Sequence, residues 1–286
     1  MREADPDAQT RKARQAHSRD VVTDGETRVR ASRTIVFDVP CFRGTLEEAT
    51  ALVVDAAAGD AGGYACLCNV HVLETARRDA LTMAALRGAR LVFPDGAPLT
   101  WVQRRAASGP AERVGGPDLM EEVVHAGCAV GLRHALYGST EAVLDMLKAT
   151  LERRYPLVQI VASIAPPFGA RSDEEVARDI EDLRSARPNV IWVALGAPRQ
   201  ERWAATYAPA LAPAFVIGVG AAFEFIGGTK PRAPRWMREA SLEWLHRLLT
   251  EPRRLGLRYL TTNSRFLVRA GVGLVRQSAG RSRAWN

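Results

Sequence analysis

The sequence predicts an α/β fold: a parallel sheet covered by helices on both faces, with a helical appendage at the carboxyl end. Three observations carry this reading. Short apolar runs and amphipathic stretches alternate about six times, the rhythm of parallel strands joined by crossover helices. Each run ends on a polar or glycine residue, as a buried strand does on leaving the core. Near residue 240 the alternation stops, and the chain turns basic and helical. The chain therefore divides into a polar tail at 1–32, a Rossmann-like α/β domain at 33–240 and a basic amphipathic appendage at 241–286.

Residues 1–32 are polar, charged and aperiodic, and read as a disordered tail. Asp5-Pro6-Asp7 has the form of a metal-holding Asp-x-Asp motif. No strand precedes it, so it is not read as a metal site. A first strand is expected at 34–39, and a helix at 45–58 with Glu47 and Glu48 in its first turn. The apolar run at 65–68 ends in Asn69, and that at 91–94 ends in Asp95-Gly96. Between them a helix is expected over 70–87, with Val70, Leu73, Ala76, Ala80, Met83 and Ala84 on one face. This strand–helix–strand unit places Asn69 and Asp95 at the carboxyl ends of two parallel strands, the edge where open α/β sheets bind ligands. Asp95 is there a candidate general base, and the alternative reading is a plain Asp-Gly turn.

A helix near 99–105 leads to Glu112-Arg113-Val114-Gly115-Gly116-Pro117-Asp118-Leu119. Glycines followed by proline at a helix start suit either an anion site or a capped helix with a flexible entry. A strand at 133–138 enters Gly138-Ser139-Thr140 and a helix at 141–154. Such a junction is a common cap and also a way of binding phosphate. Next come a strand at 158–162, a helix at 173–187 begun by Ser172, and a strand at 189–195. That strand opens into Gly196-Ala197-Pro198-Arg199-Gln200-Glu201, and a last strand at 214–219 ends at Gly220. Gly218-Val219-Gly220 is only part of a dinucleotide fingerprint, and the expected acidic partner is absent, which argues against a nicotinamide enzyme.

The 286 residues are 47% hydrophobic, enough for a full-sized core. Cys66 and Cys68 alternate onto one strand face, and Cys41 and Cys128 also sit in apolar surroundings, so packing is their expected role. No Cys/His quartet has zinc spacing, and a reducing, cytoplasmic setting fits. The charged amino terminus lacks an apolar export core, and no apolar run is long enough to span a bilayer.

The net charge of +7 is uneven. From residue 230 onward thirteen Lys and Arg face three Glu, a local +10 that leaves −3 on the rest. An anionic partner for the carboxyl-terminal region follows. A helix is expected from Arg232-Ala233-Pro234 through Trp236 and residues 242–249, stopped by Pro252, with a second from 253 toward 277. On the second, Arg254, Arg258, Arg265, Arg269 and Arg276 form one stripe and Leu257, Leu260, Leu267 and Leu274 another. Basic beside apolar suits an anionic membrane surface. The apolar stripe and the acidic body argue against nucleic acid, and the remaining alternative is a helix packed on its own domain.

Six blocks occur in order: Asn69 with Asp95-Gly96, the Glu112–Leu119 block, the Gly196–Glu201 block, Gly218-Val219-Gly220, Arg232-Ala233-Pro234 and Leu242-Glu243-Trp244-Leu245-His246-Arg247-Leu248. Together they resemble the WecG/TagA/CpsF family of bacterial glycosyltransferases over roughly residues 60–260. The resemblance implies inverting, metal-independent transfer of a sugar from a UDP-sugar to a sugar on a polyprenyl-diphosphate lipid, feeding a cell-surface polysaccharide. The implied donor is an N-acetylhexosamine such as ManNAc, or a related hexose or uronic acid. Asp95 would be the base, with Asn69 and Gln200 as its catalytic neighbours. Gly96, Arg113, Gly115, Asp118, Gly138, Gly196, Pro198, Arg199, Glu201, Gly218, Gly220 and Arg232 would bind substrate. Arg247 and Arg254 of the appendage, with Arg258 or Arg253, would hold the diphosphate and the lipid-borne acceptor.

Such a protein needs no cofactor and no metal, works in the cytoplasm at the inner face of the membrane, and can self-associate through its appendage. Without a metal the leaving diphosphate needs arginines and helix-terminal N–H groups. A base with its pKa raised by burial would suit the acceptor hydroxyl. The sequence departs from the family pattern at Leu67, where many members have threonine, at Arg199 for lysine, at Ala221 for glycine and at Glu224 for aspartate. These departures bear on sugar specificity. Leu67 also keeps open a catalytically inactive UDP-sugar-binding or regulatory protein.

Overall fold

The computed structural model describes residues 32–239, 242–252 and 266. The first element is a hairpin, β1 (Arg33–Val36) paired antiparallel with β2 (Val39–Phe42). The sequence suggested one strand across this stretch. Phe37 and Asp38 turn it instead, both with positive φ (46° and 66°), the backbone that a tight two-residue hairpin turn requires.

Helix α1 (Leu46–Ala58) starts in a capping box between Thr45 and Glu48. Strand β3 (Gly63–Cys68) follows. The single helix expected next is two, α2 (Val70–Ala76) and α3 (Ala80–Gly88). Asp79 divides them, because its carboxylate caps α3 by accepting from the Thr82 N–H at 2.8 Å. The chain continues through β4 (Leu91–Pro94), α4 (Ala97–Ala106), α5 (Gly116–Val130), β5 (Arg133–Gly138) and α6 (Glu141–Arg154). Then come β6 (Gln159–Ile164), α7 (Asp173–Ser185), β7 (Val190–Ala194), α8 (Arg199–Leu211), β8 (Phe215–Gly218) and α9 (Ala222–Ile226). The helix expected beyond Pro234 is described as two short ones, α10 (Arg235–Glu239) and α11 (Glu243–Thr250).

Strands β3 to β8 form one six-stranded sheet in the order β4-β3-β8-β7-β5-β6, every neighbouring pair parallel. One apolar layer joins Cys66, Cys68 and Val216 to α2 and α8; the other joins Ala65, Leu67 and Ile217 to α1, α5, α6 and α9. The α/β class and the two-sided cover are as the sequence predicted. After β3 the chain crosses to the first layer, through Val70 and Leu73, whereas after neighbouring β8 it crosses to the second, through Ala222 and Phe223. The connections thus part between β3 and β8, which opens a crevice at their carboxyl ends.

The start of α5 presses into that crevice. A Cβ on Gly116 would lie 2.8 Å from the Val219 carbonyl oxygen and 3.0 Å from Leu67 Cδ1, so only glycine fits. Leu67 is itself buried. Its side chain packs the α1–α5 layer. Between β5 and β6 the register slips at His134/Ala135.

Candidate active site

The carboxyl ends of β3 and β4 are tied together by the Asp95 N–H, which donates to the Cys68 carbonyl at 2.8 Å. That bond holds Asp95 beside Asn69. Asn69 caps α2, its Oδ1 accepting from the Val72 N–H at 3.1 Å. The Asp95 side chain is 26% exposed, and its Oδ1 stands 3.8 Å from Arg113 Nη1.

Arg113 is placed by its neighbours. Val114 donates its N–H to the Pro94 carbonyl at 3.0 Å and Glu112 donates its own to the Gly44 carbonyl at 2.9 Å. The Glu112 carboxylate accepts from the Leu46 N–H at 3.0 Å, at the start of α1 where an anion is favoured. Arg113 then meets three carboxylates: Glu243 at 2.9 Å and Asp95 at 3.8 Å through Nη1, and Asp118 at 3.1 Å through Nη2. Burial opposes its charge, but Asp95, Glu243 and Asp118 outweigh that and raise its pKa further. Asp118, in the first turn of α5, also accepts from Arg232 at 2.6 Å and from Arg238 at 3.3 Å. Three arginines and three carboxylates thus join the β4 end, the α5 start and the carboxyl-terminal helices.

The opposite wall comes from α8, which begins after a loop containing Gly196 and a cis Ala197–Pro198 peptide. Gln200 is buried, and its Nε2 donates to Glu201 Oε1 at 3.1 Å. Its amide lies against the β8 end, where a Cβ on Gly218 would come within 3.1 Å of Gln200 Cγ. Gly218 is what lets the amide lie there. Glu201 was expected to contact substrate, but it is wholly buried and instead holds the Gln200 amide from behind. Burial pushes its pKa up to about 7, against the opposing hydrogen bonds from its own backbone and from Gln200.

Glu201 yields a stability prediction. Its folded pKa of about 7 lies above the ordinary 4.5, so the folded state holds the proton more tightly. The stability linked to that proton is complete below pH about 4.5 and is lost as pH rises through about 7. Glu201→Gln is therefore expected to unfold at higher urea than wild type at pH 8, by about 3 kcal/mol, and alike at pH about 4.5. Equal gains at both pH values would mean that Glu201 does not titrate in this window.

Asn69, Asp95, Gly96, Arg113, Gly115, Asp118, Gln200, Gly218, Gly220 and Arg232 gather around the β4-β3-β8-β7 carboxyl edge. Pro198 and the exposed Arg199 begin α8 on the same edge. Gly138 lies at the end of β5, where the Ser139 N–H donates to the Ala194 carbonyl of β7 at 3.1 Å, and Gly196 follows β7. Arg254, Arg258, Asp5-Pro6-Asp7 and the arginine and leucine stripes lie outside the described residues, as does the side chain of Arg247 in α11. Arg238 and Glu243 were not anticipated. Glu243 stood inside a matching block without a role, and nothing in the spacing singles out Arg238.

Trp236 on α10 and Trp244 and Leu249 on α11 are 63%, 44% and 70% exposed. Phe266 is buried against Phe37, their rings edge to face at 5.5 Å. Among the described residues no helix is long and apolar enough to cross a membrane, and no group of three or more His, Cys, Asp or Glu could hold a metal.

The profile of the glycosyl transferase WecG/TagA/CpsF family matches residues 34–283. Similar proteins include the N-acetylglucosaminyldiphosphoundecaprenol N-acetyl-beta-D-mannosaminyltransferase of Bacillus subtilis (strain 168). It is 26% identical over 191 residues, which cover 67% of this chain and 73% of the relative. The protein of the same name from Staphylococcus aureus (strain NCTC 8325 / PS 47) is 27% identical over 188 residues, covering 66% of this chain and 72% of its own.

Proposed function

The chain belongs to the WecG/TagA/CpsF family of glycosyl transferases, and from that premise we propose the transfer of a sugar from a UDP-sugar to a sugar on polyprenyl diphosphate. The names of the relatives suggest N-acetylmannosamine as the donor sugar and N-acetylglucosamine on undecaprenyl diphosphate as the acceptor. The reaction is inverting and metal-independent, and takes place at the inner face of the membrane. The observation that carries the reading is Asp95, half-buried at the carboxyl end of β4 with Arg113 beside it.

Asp95 takes the proton of the acceptor hydroxyl. The freed oxygen attacks the anomeric carbon from the face opposite the diphosphate, the bond to UDP breaks, and the configuration inverts. The proton ends on Asp95 and the electron pair on the leaving diphosphate. Arg113, Arg232 and Arg238 supply the cationic surround that the leaving group needs. Asn69 and Gln200 line the same edge and orient the sugars. Trp236, Trp244 and Leu249 offer apolar surface of the kind that settles at a lipid interface.

The test mixes the purified protein with a panel of UDP-sugars and a short-chain polyprenyl-diphosphate-linked N-acetylglucosamine, with and without chelator, and weighs the lipid. Addition of one sugar at an unchanged rate under chelator is expected. UDP-sugar binding without transfer from any donor would favour a binding or regulatory protein. Transfer abolished by chelator would overturn the metal-free mechanism.

A further inference from the structure

Asp118 is met by guanidiniums from three parts of the chain. Its Oδ2 accepts from Arg113 Nη2 at 3.1 Å and from Arg232 Nη2 at 2.6 Å, and its Oδ1 accepts from Arg238 Nη1 at 3.3 Å. Arg113 stands just before α5, Arg232 follows α9, and Arg238 belongs to α10. Arg232 and Arg238 lie 114 and 120 positions from Asp118, so the trio forms only where their segment folds back on the start of α5. Cations brought this close repel one another, and a shared carboxylate offsets that repulsion. The carboxylate itself is firmly placed. It lies in the first turn of α5, where a helix end favours an anion, and Gly116 wedges that turn against the Val219 carbonyl. Gly115 leaves room for the pair: a Cβ there would stand 3.0 Å from Arg113 Nη2 and 3.1 Å from Asp118 Oδ2.

We propose that Asp118 is a positioning residue: it assembles Arg113, Arg232 and Arg238 into one cradle for a diphosphate and does not itself touch the substrate. The proposal rests on the role given above to these arginines at the leaving diphosphate, and it replaces the substrate contact that the family resemblance implied for Asp118. Both oxygens of Asp118 are engaged, and a carboxylate has nothing favourable to offer a diphosphate. The arginines are not used up. A guanidinium carries five N–H donors, and the Nε atoms of Arg232 and Arg238 have no acceptor among the described residues. Donors in excess of acceptors suit an anion with several oxygens. The competing roles of Asp118 differ in sign. A carboxylate that merely neutralised the arginines would weaken anion binding, so its removal would tighten it. One that touched the sugar would leave the affinity for the diphosphate unmoved. One that assembles the cradle is needed for that affinity, because without it the arginines splay apart.

The deciding experiment measures binding of UDP to full-length protein by titration calorimetry, well below the unfolding temperature of each variant. Asp118→Asn is expected to bind UDP about tenfold or more weakly than wild type, the scale of a lost hydrogen bond to a charged group. Arg232→Ala should weaken UDP binding too, and the double variant should lose less than the product of the two single losses, because Asp118 acts through that arginine. Tighter or unchanged UDP binding in Asp118→Asn would overturn the proposal, the first outcome leaving Asp118 as a neutralising charge and the second as a tie or a sugar contact. Should that variant not fold, Asp118→Glu keeps the charge and moves the carboxylate by one methylene. Weaker UDP binding is then expected, and wild-type affinity would overturn the proposal. Inorganic pyrophosphate is the second probe. If wild type binds pyrophosphate but no UDP, and Asp118→Asn binds pyrophosphate more weakly, the cradle is upheld and the transferase reading sinks. Binding of neither probe by wild type would overturn both.

Discussion

Asp95→Asn is expected to lower sugar transfer about 10²-fold or more, the usual loss when a positioned base is removed. The substitution keeps the side-chain shape and leaves untouched the backbone N–H that ties β4 to the Cys68 carbonyl. Arg113 retains Asp118 and Glu243, its two shorter contacts. The lost partner stood at 3.8 Å and is partly exposed, a pairing that contributes on the order of 1 kcal/mol or less. Thermal unfolding should therefore barely move while turnover collapses. Near-normal transfer would remove Asp95 from the base role, and a collapse of both would leave that role undecided by this variant while exposing a structural one.

Arg113→Ala should act on both fold and chemistry. Asp118 would keep Arg232 and Arg238, but Glu243, largely buried, would lose the arginine that now meets it. Stripping a buried carboxylate of its partner costs about 3 kcal/mol. Transfer should fall about 10²-fold or more if, as proposed, Arg113 supplies a preorganised cation to the leaving diphosphate. Arg113→Lys keeps the charge and loses the fork, so it can serve one carboxylate at a time and should recover stability better than rate. Urea unfolding and steady-state kinetics on both variants separate the two losses. Loss of stability with unchanged transfer would make Arg113 a tie between α11 and the body and nothing more.

Much of this was legible in the chain. The apolar runs ending in Asn69, Asp95 and Gly220 marked buried strands and the edge they share, because a parallel strand covered on both faces leaves no room for polar residues until it exits. Two local features escaped that logic. Asp79 reads as an ordinary exposed helix residue until its carboxylate is seen to cap the turn that follows. Phe37-Asp38 carries no glycine or asparagine to announce a hairpin, since packing of Phe37 beneath Phe266 stabilises a turn that composition disfavours. At the site, Arg113 and Asp118 were visible within their block. Their link to Glu243 and Arg238 was not, because a contact between elements far apart in sequence leaves no periodic trace. Glu201 illustrates the opposite failure: the family resemblance implies a substrate contact there, and only burial shows that the side chain faces inward.

The hairpin also bears on how this protein avoids sticking to itself. An uncovered edge strand offers its free backbone groups to any passing chain. At one end of the sheet β4 is overlaid by the hairpin, with Phe42 edge to face on Phe93 at 5.4 Å and the Gln103 amide bonded to the Phe42 carbonyl at 2.8 Å. At the other end lies β6, half-exposed, carrying Gln159 and Ser163, and out of step with β5 after His134. The slip interrupts the straight run of ladder that an added strand would need. Aggregation through the sheet would have to begin at β6, and the slip makes that edge a poor template.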